Sequence, residues 1–438
     1  MARIALFCQD VVGKSMAGPG IRYWEFAKAL SKTHDVTLLI PNIPELQSSE
    51  FKIVSHGNKL LGGCIENVDI IITQHIRSVM AWHAKRKGIK IILDAYDPLP
   101  IESLELYKNL PLQQRIQKNQ SSVTNQIFAL KMADAVICAS EKQKDLWIGS
   151  LMALNSLTPQ AYDVDPSLKH LIATVPFGLP SSLPIRTGPG LRERFNLQKS
   201  DRVILWGGGI WNWFDPLTLI KSIKLLSTRR NDIKLVFMGL KHPNDIVPEM
   251  EMSRQAVQLA KDLNLIDKHV FFNYQWVPYN DRQNFLLDAD IGVSTHQNHL
   301  ETRYSFRTRI LDYIWAGLPI IGTEGDSFAE LIQNNNLGIV VPFNDSNAIA
   351  EAIVKILDNQ ELYNEIQNNL AKMRNRFHWE NVIEPFGTII PYLLSSTTIK
   401  IKYRDFLTIS KLTLQDLNNI IKRKGLNKFR SIFAGKKV

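Results

Sequence analysis

The feature that most constrains this chain is a repeated unit: a short apolar run without polar alternation, a turn, then a stretch of helical spacing. In the first half the runs are Arg3–Cys8, Val36–Ile40, Asp69–Thr73, Lys90–Leu93, Ala135–Cys138 and Leu171–Val175. In the second half they are Arg202–Trp206, Lys234–Met238, His269–Phe272, Ile291–Ser294, Pro319–Gly322 and Gly338–Val341. Runs that are apolar on both faces belong to strands covered on both sides, which predicts parallel sheets with helices above and below. Ile21–Ser31 and the long segment Ile101–Met132 are helical cover of this kind. Between the two series lie Pro176–Pro184 and Thr187–Gly190, which interrupt helix and sheet alike. The expected fold class is therefore α/β: two doubly wound domains facing each other across a cleft. The first covers residues 1–180, a linker 181–200 and the second domain 201–378. A helix over 379–395 can cross back to the first domain, and a tail fills 396–438.

Composition narrows the class further. At ~150 residues per domain, 438 residues suit two or three domains. With 45% hydrophobic and 21% charged residues, wholesale disorder is excluded. No window approaches the ~18 consecutive apolar residues of a membrane span, and the apolar start is too short for a signal peptide. Cys8, Cys64 and Cys138 each adjoin an apolar run and read as buried thiols, so the expected compartment is the cytoplasm. The net charge of +10 is concentrated in the tail, where eleven basic residues oppose only Asp405 and Asp416. The body is close to neutral. Leu412, Leu414, Leu417, Ile420 and Ile421 among those cations suggest an amphipathic attachment to an anionic membrane surface. No aromatic platform accompanies the charge, so nucleic acid is not an expected partner.

Three segments can carry chemistry. Gly13–Arg22 follows the first strand, and its Gly18, Pro19 and Gly20 open a helix whose N-terminus can face a ligand. It is neither a P-loop nor a Gly-x-Gly-x-x-Gly fingerprint, and a plain flexible connection is an equal reading. Trp206–Pro216 follows the first strand of the second series. There Gly207, Gly208 and Gly209 remove side chains from the strand's carboxyl end, and Asp215 with Pro216 forms a helix start. Three tryptophans beside this loop favour a binding role over core packing. The third segment, His299–Pro319, is the richest. Ser305 can cap the following helix, and Arg307 falls on the side of its apolar residues, where it needs an anionic partner such as phosphate. Arg309 and Asp312 have a bland reading as a surface pair three apart. It is favoured for Arg309, a functional one for Asp312. Asp97, in Asp94–Pro98, ends a strand of the first series facing the expected cleft and reads either as a turn before Pro98 or as an acceptor or sugar contact. His75 is similar, and a lone histidine is more often structural than catalytic. No His/Cys spacing suits zinc, and no Asp-x-Asp closes a strand, so no metal is expected.

Phe306–Gly322 resembles the donor-site signature of glycosyltransferase family 4, the retaining, nucleotide-sugar-dependent enzymes of GT-B fold. The similarity runs in order over most of the chain. Gly18–Gly20 resembles the family's first glycine loop, Gly207–Gly209 its second, and Met238-Gly239 the glycine after the next strand. Phe272–Pro278, with Trp276 and Val277, resembles its base-binding block. The resemblance implies two Rossmann-like domains, a nucleoside diphosphate sugar as co-substrate with no further cofactor, and a sugar or lipid-linked acceptor. It further implies Asp312 on ribose hydroxyls, and Gly18, Pro19, Gly20, Arg22 and Asp97 on the acceptor side. The family usually places Glu, seven residues, Glu here; this chain has Tyr304 and Asp312, with Glu301 as substitute for the first. The loop cations of the family are replaced by Gly209 and Phe214, leaving Lys241, Arg303 or Arg307 to supply positive charge. A divergent subgroup is implied. The catalytic candidates are Arg307 and Glu301. The donor candidates are Gly207, Gly208, Gly209, Lys241, Trp276, Val277, Arg303, Tyr304, Ser305, Phe306 and Asp312. The expected product is a glycoside for cell-surface or other polysaccharide assembly. The rival reading is a non-catalytic nucleotide-sugar-binding partner of such an assembly.

Overall fold

The computed structural model describes residues 1–56, 65, 67–244, 247 and 249–396. Cys64 and the basic tail beyond Ser396, with its expected membrane contact, lie outside the described residues. The first lobe is a sheet of seven parallel strands: β1 (Arg3–Phe7), β2 (Asp35–Ile40), β3 (Lys52–Ser55), β4 (Ile70–Thr73), β5 (Lys90–Asp94), β6 (Ala135–Cys138) and β7 (Ile172–Thr174). Their order is β3-β2-β1-β4-β5-β6-β7. The second lobe has six: β8 (Arg202–Trp206), β9 (Ile233–Phe237), β10 (Val270–Phe272), β11 (Ile291–Ser294), β12 (Ile320–Thr323) and β13 (Gly338–Val341). They run β10-β9-β8-β11-β12-β13, again all parallel.

Each apolar run is a strand because both of its faces are covered: Ile70–Thr73 and Val203–Trp206 are buried throughout. The strand missing from the sequence reading, β3, is an exposed edge strand and lacks that signature. The expected single helix over Ile101–Met132 is two, Leu99–Leu106 and Leu112–Met132. Pro111 separates them, since it has no N–H to donate and disfavours helical backbone in the residue before it.

In both sheets the order reverses once, between β1 and β4 and between β8 and β11. Connections leave those neighbouring strands in opposite directions, opening a crevice at their carboxyl ends where such sheets bind ligands. The two glycine-rich loops are the segments that follow β1 and β8. The lobes meet across these edges. Tyr279 N and Trp276 Nε1 donate to the Lys14 and Met16 carbonyls at 3.0 and 3.2 Å. Asn244 Nδ2 donates to Asp10 Oδ1 at 2.8 Å, and Gln143 Nε2 to the Tyr304 carbonyl at 2.8 Å.

The linker is pinned to the second lobe. Asn284 Oδ1 accepts from Thr187 N at 2.7 Å, and Asp288 pairs with Arg186. The chain returns to the first lobe at its end: Phe26 packs edge-on against Trp379 and Phe386, and Tyr392 packs on His170. At the crossing Leu179 N donates to the Phe377 carbonyl (2.6 Å), and Trp379 N to that of Leu179 (3.0 Å).

Candidate functional site

The site grows from β8. After Trp206 the chain turns through Gly207, Gly208 and Gly209 and enters the helix Pro216–Ser227, whose N-cap Asp215 accepts from Thr218 N at 3.0 Å. Gly208 has φ +71°, and a Cβ there would meet nothing within 4 Å, so the loop faces open space. Its flanks are held from below. Gly207 N donates to the Tyr313 hydroxyl at 2.7 Å, and that hydroxyl donates to the Val293 or Leu205 carbonyl. The Gly209 carbonyl accepts from Arg309 Nη2 at 2.7 Å and Trp206 Nε1 at 3.3 Å. Of the three tryptophans, Trp206 is pure core and Trp213 is buried. Trp211, stacked on Trp213 at 5.0 Å, borders solvent.

The segment after β11 corrects four expectations. It forms two helices, Leu300–Tyr304 and Thr308–Ala316. Ser305 closes the first and does not cap the second; its hydroxyl donates back to the Thr302 carbonyl at 2.9 Å. Arg307 precedes the second helix and is buried as expected, but its anion is internal. Both terminal nitrogens engage the Glu301 carboxylate, at 2.8 and 2.7 Å. Glu301 is thereby a fixed partner of Arg307 and not an open substitute for the family's first carboxylate. Arg309 is no surface residue: it is 8% exposed, with its guanidinium over the Trp206 and Phe214 rings at 4.5 and 4.0 Å. Asp312, one-third exposed at its side chain, pairs with Arg282 (3.1 Å) and not with Arg309.

Charge around this segment is unevenly compensated. Burial, reinforced by Arg307, pushes His296 down to about 3, so it is neutral, with Nε2 directed at the Glu324 carbonyl. Burial pushes Asp326 up to about 6 despite Arg307 at 3.9 Å. Burial also pulls Arg309 down to about 9, with Arg307 adding repulsion. Among the described residues Arg309 Nη1 has no hydrogen-bond partner and no carboxylate pairs with the guanidinium.

Beside the glycine loop lies a cavity of about 580 Å³, lined by Gly209, Ile210, Trp211, Lys241, His242 and Trp276 among others. That volume suits a small-molecule site. It gathers three of the expected donor residues, Gly209, Lys241 and Trp276; Asp312, Arg303, Tyr304 and Phe306 are not in its lining. Val277 is buried, Arg303 is exposed, and Phe306 packs on Phe328 at 4.7 Å.

In the first lobe the acceptor-side expectations divide. Arg22 is fully buried: it grips Asp94 with two nitrogens at 2.8 and 2.9 Å and donates to the Val175 and Pro176 carbonyls, so it cannot reach an acceptor. Gly20 is required by packing, because a Cβ would stand 2.3 Å from the Val11 carbonyl oxygen. Gly18 and Pro19 begin the helix Gly18–Ser31. Asp97 accepts from Gln74 of the same lobe at 3.2 Å; burial and the nearby Asp94 push it up to about 7. Glu102, which the sequence reading passed over, faces the Glu301–Arg307 pair from the first lobe; burial and Asp97 hold its carboxyl well above the usual range. Among the described residues no three His, Cys, Asp or Glu side chains are grouped to hold a metal ion, and no helix is long and apolar enough to cross a membrane.

Residues 191–373 match the family described as glycosyl transferases group 1. Chitobiosyldiphosphodolichol beta-mannosyltransferase of Candida glabrata is 24% identical over 196 residues, 43% of this chain and 40% of that protein. Probable sucrose-phosphate synthase 2 of Oryza sativa is 28% identical over 127 residues, 28% of this chain and 13% of that protein. The matches thus span less than half of these curated relatives. In three dimensions, sucrose-phosphate synthase from Thermosynechococcus elongatus superposes with a TM-score of 0.64 at 16% identity, over 90% of this chain and all of that one. HepE of Anabaena, crystallised with UDP and glucose, gives 0.63 at 14% identity over the same shares. The two facing lobes are therefore those of the GT-B fold, and the second lobe is the part of the chain that matches the group 1 glycosyl transferases.

Proposed function

We propose that the protein moves a glycosyl unit from a nucleoside diphosphate sugar to an acceptor, with retention of configuration and without a metal ion. The observation that carries this reading is the open space at Gly208, at the crevice where the second sheet changes direction and beside the N-terminus of helix Thr308–Ala316. A loop stripped of side chains lets a diphosphate approach main-chain N–H groups, and the helix dipole adds partial positive charge. Fixed dipoles aimed at developing negative charge are usually the largest catalytic contribution. The nucleoside lies along the Trp276 side of the loop, with Asp312 on the ribose. The acceptor enters from the first lobe near Asp97. That HepE was crystallised with UDP, and that one relative is a mannosyltransferase acting on a dolichol diphosphate, support a sugar nucleotide donor and a lipid-linked acceptor. Such an acceptor places the reaction in glycan assembly at a membrane's cytoplasmic face, with the basic tail as its contact.

The test is incubation with radiolabelled UDP-, GDP- and ADP-sugars, following release of the nucleoside diphosphate. One donor should be hydrolysed slowly even without an acceptor. A second reading, a nucleotide-sugar-binding partner without turnover, is favoured by one observation: Glu301 is consumed by Arg307, and Tyr304 offers no carboxylate. Donors that bind yet show neither hydrolysis nor transfer with any acceptor extract would establish it.

A further inference from the structure

The group 1 resemblance places loop cations where this chain has Gly209 and Phe214. One guanidinium touches both residues: Arg309 donates to the Gly209 carbonyl at 2.7 Å and lies 4.0 Å from the centre of the Phe214 ring. It arrives from helix Thr308–Ala316, a hundred residues away in sequence. We propose that Arg309 is the cation of the diphosphate site, acting from beneath the glycine loop as a positioning residue and a fixed charge. This rests on the donor reading above.

Two observations support it. The Gly209 carbonyl is drawn inward by Arg309 Nη2 and Trp206 Nε1. In a trans peptide the N–H points opposite to the C=O, so the Ile210 N–H is turned away from Arg309. Gly209 and Ile210 both line the cavity beside the loop. Arg309 therefore sets the direction of a donor at the cavity wall.

The second observation is the unfinished state of the guanidinium. Among the described residues Nη1 lacks a partner and no carboxylate neutralises the charge, while Arg307 nearby is itself neutralised by Glu301. A buried cation without a counter-ion is costly to the fold, and rings on its two faces compensate only in part. A core position needing only shape would be served by an apolar side chain. An anion on the other side of the loop completes the balance: it meets outward N–H groups backed by one uncompensated positive charge across a single layer of glycine backbone.

The experiment compares wild type with Arg309→Lys, Arg309→Gln and Arg309→Met. Calorimetry measures binding of inorganic pyrophosphate, of whichever of UDP, GDP or ADP the wild type binds best, and of the matching nucleoside. Affinity should follow charge. Pyrophosphate and nucleoside diphosphate should weaken about tenfold or more in the Gln and Met variants, and Lys should recover most of the loss. The nucleoside should bind all four proteins alike, and the salt dependence of pyrophosphate binding should flatten when the charge is removed. Gln retains a donor for the Gly209 carbonyl, so wild-type affinity in that variant would overturn the inference. So would failure of both neutral variants to fold, because a charge held for a ligand is dispensable to the fold. Charge-dependent pyrophosphate binding without turnover of any nucleotide sugar would leave Arg309 in place and remove the donor reading. Turnover with undiminished affinity in Arg309→Gln would do the reverse.

Discussion

Each lobe buries an arginine behind a glycine loop at the point where its sheet changes direction, and the two are treated in opposite ways. Arg22, in the first lobe, is closed on every side: two bonds to Asp94, two to backbone carbonyls, and the Phe26 and Tyr96 rings at 4.4 and 5.0 Å. Arg309, in the second, has one carbonyl, two rings and an orphaned nitrogen. Residue type and burial alone therefore say little about role. Whether the hydrogen-bonding capacity is used up says more. Arg307 lies between the two: Glu301 neutralises it through both terminal nitrogens, but its Nε has no hydrogen-bond partner among the described residues.

The contrast can be broken at its widest point. Arg22→Met strands the Asp94 carboxylate in the core and should cost about 3–5 kcal/mol in urea unfolding, whereas Arg309→Met should stay within about 1 kcal/mol of wild type. Equal losses would erase the distinction. Glu301→Gln leaves Arg307 buried with a weakened partner and should cost about 2 kcal/mol, measured the same way. No loss there would move Arg307 into the class of Arg309. Removing the cap of the helix that follows the glycine loop, Asp215→Ala, should cost about 1 kcal/mol by thermal melting. The smallest effect concerns pH. Asp97 is raised to about 7 by burial, so between about pH 4 and 7 the folded protein holds a proton that the unfolded chain has released. Stability therefore falls as pH rises through that window and is level above it. Asp97→Asn should flatten this slope by about 1 kcal/mol between about pH 6 and 7.5. An unchanged slope would show that Asp97 titrates as it does in water.

Much of the fold was legible because parallel strands carry their signature in consecutive residues. All twelve apolar runs are strands, and the Asp215-Pro216 helix start is where local capping rules put it. The edge strand β3 carried no such mark. The site was legible in outline only. That the loop after β8 is glycine-rich can be read directly, but which cation serves it depends on a contact between positions 209 and 309. Helical periodicity misled twice around that contact. It assigned Arg307 to a helix that begins one residue later, and it gave Arg309 to Asp312, which is claimed by Arg282 from another element. Arg22 looked like an open ligand because its partner Asp94 lies 72 residues on.

The chain passes between the lobes twice, once through the linker and once on its return. The two passages lie side by side, joined by reciprocal bonds at Leu179 with Phe377 and Trp379. A body suspended from one thread can swing in any direction, but one hung from two adjacent strands laced together moves chiefly about the line they define. Separation of the lobes, which must undo the hydrogen bonds linking the facing edges, is thereby channelled into one jaw-like rotation. The opening coordinate is set by a few backbone amides around Leu179.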